Sequence, residues 1–319
     1  MENEIQQTEY RKRNNPGEWG SSVREEMTKE RFDNIVRIGT WLRQYSPLVH
    51  CITSPIAIND CANTLLALGA RPIMAEHPEE VEEITAIASG LGVSLANITD
   101  ARAVSVLIAG RKARAEGIPS VIDMVGVTCS VLRRRLAQQY VRECAPAVIK
   151  GNASEIRAVA GAEFGACGVD TARKDRVSPA CPSAVKAMAE IAHGLSVRTG
   201  AVVLVSGEID IVSSGKESWA LRNGVPELGQ VTGTGCIMNC ICAAALAAGR
   251  GGRDRADIPP VTEDAELHAA LYAALLMGIS GELTDGSKGL GTYHIGLIDI
   301  FSRIGEKELR ERAQFERIL

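Results

Sequence analysis

The sequence predicts an α/β protein built on a mostly parallel central sheet with helices on both faces. Three observations carry that expectation. Between Pro47 and Gly207, short apolar runs alternate with helix-length runs, the order that produces parallel strands joined by crossover helices. Two of the apolar runs, Pro119-Ser120-Val121-Ile122-Asp123 and Pro146-Ala147-Val148-Ile149-Lys150, stop on a charged residue, and ligands bind outside the carboxyl ends of such strands. Aromatic residues make up only 4% of the chain against 45% hydrophobic residues in all, so aliphatic side chains must fill the core.

The elements follow in order. Residues 1–30 are polar, with Asn14-Asn15-Pro16-Gly17 in the middle, and bury too little apolar area to offset their ordering entropy, so they are expected as a flexible or loosely docked extension. From Phe32 the spacing of Ile35, Val36, Ile38, Trp41 and Leu42 predicts an amphipathic helix that Ser46-Pro47 ends. A strand through Leu48 to Thr53 then runs into a polar turn, and a helix over Ile58 to Leu68 stops at Gly69. Arg71 to Ala75 reads as a strand before an acidic helix over Pro78 to Ser89, and Gly92 to Ala96 as a strand before a long helix over Thr99 to Gly117. Residues 161–180, rich in Gly and Ala, predict a surface loop, followed by a helix from Pro182 to Thr199 and a buried strand from Ala201 to Gly207. Glu208 to Val212 and Glu217 to Leu221 alternate like an antiparallel ribbon at the sheet's edge. A loop is expected over Gly249 to Arg255, a core helix over Glu263 to Glu282, a loop over Gly286 to Thr292, and a solvated charged helix over Glu306 to Arg317. No repeat or second core interrupts this order, which favours one domain over residues 31–319.

Composition excludes several function classes. With 35 basic and 39 acidic residues, the net charge of -4 comes without a long basic block, so nucleic acid is not an expected partner. The nine cysteines are scattered and form no C-x-x-C pair, against a disulfide framework or zinc site and in favour of a reduced, cytoplasmic setting. The start lacks a secretory pattern, and Gly or charge interrupts the apolar runs before membrane length, so no membrane is expected.

The stretch Val231-Thr232-Gly233-Thr234-Gly235-Cys236, followed by a small-residue run to Gly249, concentrates the chemistry. A glycine turn at a helix start would aim unpaired N–H groups at an anion such as a phosphate, although the same pattern can simply turn the chain into a core helix. Cys236 would then have its thiolate favoured by the helix N-terminus and could accept or orient the proton of an alcohol. Asp123 and Glu155 near strand ends could hold Mg²⁺ through water, or serve as a helix cap and an ion pair. Lys150 could reach a phosphate or remain solvated, and Ser206 and Gly207 could contact a nucleotide or only turn the chain. Cys240 and Cys242 are expected in the helix core.

Assembled in this order, these residues resemble the hydroxyethylthiazole kinase family of the ribokinase-like superfamily. The likeness runs from about Pro47 to Asp299 through Pro47-Leu48-Val49-His50-Cys51-Ile52-Thr53, Leu65-Leu66-Ala67-Leu68-Gly69-Ala70, Gly151-Asn152-Ala153-Ser154-Glu155-Ile156, Ser206-Gly207-Glu208-Ile209-Asp210 and Val231 to Cys236. The resemblance implies a ribokinase-like fold without a separate lid domain. It also implies ATP- and Mg²⁺-dependent phosphorylation of the primary alcohol of 4-methyl-5-(2-hydroxyethyl)thiazole in thiamine salvage, by a homotrimer with sites between subunits. On that mapping Cys236 lies at the substrate hydroxyl, and Gly233, Thr234 and Gly235 form the anion hole. Asp123 and Glu155 serve Mg²⁺; Lys150, Asn152, Ser206 and Gly207 lie along ATP; Ser54, Ile56, Met74 and Ala96 match thiazole-side positions.

The departures cluster on the acceptor side. The family has Asn where Ser54 stands, Asn-Ile-Gly-Thr where Ser94-Leu95-Ala96-Asn97 stands, Pro at Met124 and Leu290, and Arg at Lys150. They change the pocket's polarity and shape, and Arg to Lys removes a bidentate fork. Two other readings therefore stand beside the first: a kinase for another vitamin-like heterocyclic alcohol, and a nucleotide-binding protein without turnover.

Overall fold

The computed structural model describes residues 27–165, 171–172, 175–250 and 264–319. Its centre is one nine-stranded sheet in the order β2-β1-β3-β4-β5-β6-β7-β8-β9. The strands are β1 (Leu48–Ile52), β2 (Arg71–Ile73), β3 (Gly90–Ser94), β4 (Ser120–Asp123), β5 (Val148–Asn152), β6 (Val202–Ser206), β7 (Asp210–Ser213), β8 (Ser218–Leu221) and β9 (Phe315–Arg317). From β2 to β6 all pairings are parallel, and from β6 to β9 all are antiparallel. The crossovers that connect parallel strands supply helices to both faces.

Those helices are α1 (Lys29–Tyr45), α2 (Ile58–Ala67), α3 (Val81–Ile87), α4 (Asp100–Ala115), α5 (Val131–Cys144), α6 (Ala153–Ala160), α7 (Pro182–Thr199), α8 (Thr234–Gly249), α9 (Ala265–Leu283), α10 (Leu290–Arg303) and α11 (Glu306–Arg312). On one face α1, α2, α8, α9 and α10 build an aliphatic core; on the other α4, α5 and α7 build a second, around Val106, Leu136, Tyr140 and Met188. The sheet separates the two. Ile237 to Gly249 of α8 are buried throughout, as are Leu267 to Gly281 of α9, which is why these stretches are apolar all round instead of striped.

The packing of α8 on β3 fixes its direction. A Cβ at Gly90 would lie 2.7 Å from the Ala243 carbonyl oxygen, and one at Gly92 would lie 3.2 Å from the Ala243 Cβ. Further along, Asn239 Nδ2 donates to the Val93 carbonyl at 3.1 Å. The helix therefore runs antiparallel to the strand, and its N-terminus arrives at the carboxyl ends of the parallel strands.

Several boundaries differ from the sequence expectation. The β7–β8 ribbon is not the edge, because β9 pairs outside β8. The charged helix expected to Arg317 stops at Arg312, since Phe315 turns inward to pack at 5.8 Å against Trp219 and 5.4 Å against Phe32. The loop expected over Gly286 to Thr292 ends early, with α10 starting at Leu290. The acidic helix is shorter than Pro78 to Ser89, and α5 had no counterpart among the expected elements. Of the extension at residues 1–30, positions 1–26 lie outside the described residues and Lys29 and Glu30 already belong to α1; in the loop at Gly249 to Arg255, positions 251–255 lie outside.

Candidate active site

The register sets the last residues of the parallel strands side by side: Ser94 opposite Asp123, Asp123 opposite Lys150, and Asn152 opposite Ser206. The Lys150 side chain is not solvated. It is buried, with Nζ donating to Asp123 Oδ2 at 3.1 Å, and a Cβ placed on Gly235 would lie 3.5 Å from that nitrogen. An ammonium thus sits beneath the first turn of α8. Burial opposes its charge, but Asp123 and Glu155 outweigh burial and hold the Lys150 pKa above its ordinary value.

Glu155 is fixed by the start of α6. Its Oε2 accepts from Asn152 N–H at 2.8 Å and its Oε1 from Gly126 N–H at 2.8 Å, while Asn152 Oδ1 accepts from Glu155 N–H at 3.0 Å. This is a capping box that also reaches across to the loop after β4. Burial, followed by the nearby Asp123 carboxylate, pushes Glu155 up to about 7. Burial also raises Asp123, with Lys150 pulling against it. Two buried carboxylates face one ammonium, so ionising both leaves a net negative charge, which is part of what raises their pKa values.

Above them is the glycine turn. Gly233 caps α8 with φ of 91°, a left-handed backbone that glycine adopts without Cβ strain. Thr234 spends its hydroxyl on the Leu228 carbonyl at 2.9 Å, which ties the turn to the 3₁₀ segment Pro226–Gly229. The N–H groups of Thr234, Gly235 and Cys236 precede the first internal helical bond, Ile237 N–H to the Gly233 carbonyl at 2.8 Å. Unpaired N–H groups and a buried ammonium converge there, a combination suited to a phosphate oxygen.

Cys236 is half-buried, and the nearby Thr53 hydroxyl, which bonds the Cys61 sulfur at 3.8 Å, lowers the Cys236 pKa only slightly. The expected thiolate is corrected: burial first, and then the Asp123 charge, raise the thiol to about 11. At the next strand end Gly207 donates its N–H to Asp210 Oδ1 at 2.9 Å, and burial raises Asp210 to about 7. That N–H is therefore committed within the turn at Ser206-Gly207.

On the far side, Ser54 Oγ donates to Asn97 Oδ1 at 2.7 Å and accepts from Ile56 N–H at 3.3 Å. Ile56 is 65% exposed, Met74 is half-buried against the α8 core, and Ala96 is buried. The Met74 loop is tied to β1 through His50, whose Nε2 meets the Ala75 carbonyl at 2.9 Å. Asp123, Lys150, Glu155 and the 233–236 turn thus form one charged group, Asn152 and Ser206 lie beside it, and Ser54 and Ala96 lie on the β1 and β3 side. Thr53, Asn97 and Asp210 were given no individual role from the sequence, because the Asn97 partner Ser54 comes from another strand end and the partners of Thr53 and Asp210 depend on how a turn folds.

A helix turn poised for an anion over the carboxyl ends of a parallel sheet, with antiparallel strands added at one edge, is the arrangement of the ribokinase-like fold. A solved pyridoxal kinase from Staphylococcus aureus in complex with AMP-PCP shares that fold at a TM-score of 0.57 and 13% identity, covering 85% of this chain and 97% of its own. The chain belongs to the hydroxyethylthiazole kinase family, whose sequence profile matches residues 40–307. It is 44% identical to hydroxyethylthiazole kinase 2 of Clostridium botulinum (strain Okra / Type B1) over 80% of this chain and 90% of the relative. It also superposes on the solved hydroxyethylthiazole kinase protein from Pyrococcus horikoshii OT3 with a TM-score of 0.74 and 28% identity, covering 89% and 99% of the two chains. Among the described residues, no helix is long and apolar enough to cross a membrane.

Proposed function

We propose that this protein transfers a phosphoryl group from ATP to the primary alcohol of 4-methyl-5-(2-hydroxyethyl)thiazole, as its family membership suggests. The observation that carries the reading is the buried Lys150 ammonium beneath the open N–H groups of the α8 turn. Phosphoryl transfer proceeds through a loose transition state and asks mainly for fixed positive charge at the phosphoryl oxygens. Gly233, Thr234 and Gly235 would supply backbone N–H groups, and Lys150 a point charge. Asn152, Ser206 and Gly207 would line the nucleotide, with Asp210 holding the Gly207 turn rigid.

Asp123 and Glu155 fit a hydrated Mg²⁺, because a cation would offset the charge that burial and one ammonium leave uncompensated when both carboxylates ionise. The ion, when bound, neutralises charge on the nucleotide phosphates. Cys236 would orient the acceptor hydroxyl as a neutral thiol and would not act as a thiolate base. Little is lost by that, since a loose transition state needs the proton removed only late. Ser54, Ile56, Met74 and Ala96 would face the thiazole.

Incubation with Mg-ATP and the thiazole alcohol should release ADP and the phosphate ester together. No ADP above the acceptor-free blank would reject this acceptor. The same reading includes a homotrimer with sites between subunits, supported by Ile56, which stands 65% exposed on the loop that reaches the glycine turn. Light scattering should return three chain masses, and a monomer would reject it.

A further inference from the structure

A hydrogen bond between Ser54 and Asn97 joins the loop after β1 to the loop after β3. The loop after β1 borders the anion turn directly: Thr53 lies near enough to Cys236 to influence its thiol, and a Cβ at Gly233 would lie 3.0 Å from the Ala57 Cβ. Ser54 lies between Thr53 and Ala57 in the chain, buried, and its hydroxyl reaches across to the loop after β3, where it donates to Asn97 Oδ1 at 2.7 Å. Asn97 itself is exposed and holds a left-handed backbone at φ 50°. Asn is among the few non-glycine residues that adopt this conformation readily.

The geometry has a directional consequence. With Oδ1 engaged by Ser54, the amide's Nδ2 donor is the polar atom left to a ligand, on the β3 loop that this bond joins to the loop bordering the glycine turn. We propose that Asn97 binds the acceptor alcohol by donating from Nδ2 to a hydrogen-bond-accepting ring nitrogen, and that Ser54 is the positioning residue that holds its amide. The inference rests on the alcohol-kinase reading and deepens it on the acceptor side.

Calorimetric titration of the thiazole alcohol into the wild type, Ser54→Ala, Asn97→Gly and the double variant tests it. Glycine keeps the φ 50° backbone accessible, so Asn97→Gly removes the amide without straining the loop. Asn97→Gly is expected to weaken binding about tenfold and Ser54→Ala about threefold, the range of one oriented hydrogen bond. The double variant should match Asn97→Gly within about twofold, because the hydroxyl acts only through the amide. Fully additive losses, wild-type affinity in Asn97→Gly, or losses that follow the urea midpoint and not the affinity would each overturn the assignment. Wild-type ADP release is read separately. Release without coupling removes the pair and keeps the kinase, coupling without release does the reverse, and absence of wild-type binding removes both.

Discussion

At the scale of single residues, the site is decided by burial winning over helix electrostatics. The start of α8 favours a thiolate at Cys236 by roughly 0.3–1 kcal/mol, up to about 2 when partly buried, which is worth at most about 1.5 pKa units. Desolvation and the Asp123 carboxylate act the other way and carry the thiol to about 11. The sign is therefore fixed: at neutral pH Cys236 is protonated, and its thiolate fraction grows about tenfold for each pH unit gained until that value is reached. Alkylation by iodoacetamide, followed on the Cys236 peptide by mass spectrometry, should accelerate steadily from pH 7.5 to 10. An ordinary exposed thiol levels off above about 8.5. A Cys236 rate that plateaus below pH 9 would restore the thiolate and with it a base role. Lys150 illustrates the same physics from the other side. Its sequence position at a strand end fits a solvated lysine equally well, and only the carboxylates of Asp123 and Glu155, brought by β4 and α6, keep a charged amine inside.

At the scale of elements, legibility followed periodicity and failed where tertiary contacts override it. The parallel strands were readable because burial on both faces makes continuous apolar runs with polar ends. The α8 turn was readable because glycine spacing reports backbone geometry. Helix α5 was not picked out: Arg133, Arg134 and Arg135 interrupt its apolar face, and Arg133 and Arg134 bond back to carbonyls of the β4–α5 loop instead of pointing uniformly to solvent. Strand β9 was missed for a related reason. Its three residues, Phe315, Glu316 and Arg317, extend a run of charge that continues a helical pattern, and a three-residue strand has no periodicity to detect. The candidate site divides in the same way. Asp123, Lys150, Asn152, Glu155 and Ser206 stand at predicted strand ends, whereas Asn97 and Asp210 depend on a side chain reaching from another strand end or along a turn.

At the scale of the whole molecule, the C-terminus closes the sheet that the rest of the chain builds. β9 covers the β8 edge, which would otherwise present unpaired backbone groups. Phe315 sits between Trp219 of β8 and Phe32 of α1, while Arg31 with Glu217, Arg222 with Glu316 and Arg310 with Asp33 tie the same region together. Most of these ion pairs are partly exposed and contribute little each, so the aromatic contact should carry most of the stabilisation. Because Phe315 is only partly buried, Phe315→Ala is expected to cost about 2 kcal/mol, below the roughly 3–5 kcal/mol of a fully buried Phe. The site lies at the carboxyl ends of the parallel strands, and β9 pairs only with β8 at the antiparallel edge. Urea unfolding of Phe315→Ala should therefore show an earlier midpoint while kcat per folded molecule stays at the wild-type level. A wild-type midpoint would remove β9 from the stability of the fold, and a fall in kcat without a change in midpoint would tie that edge to the active site.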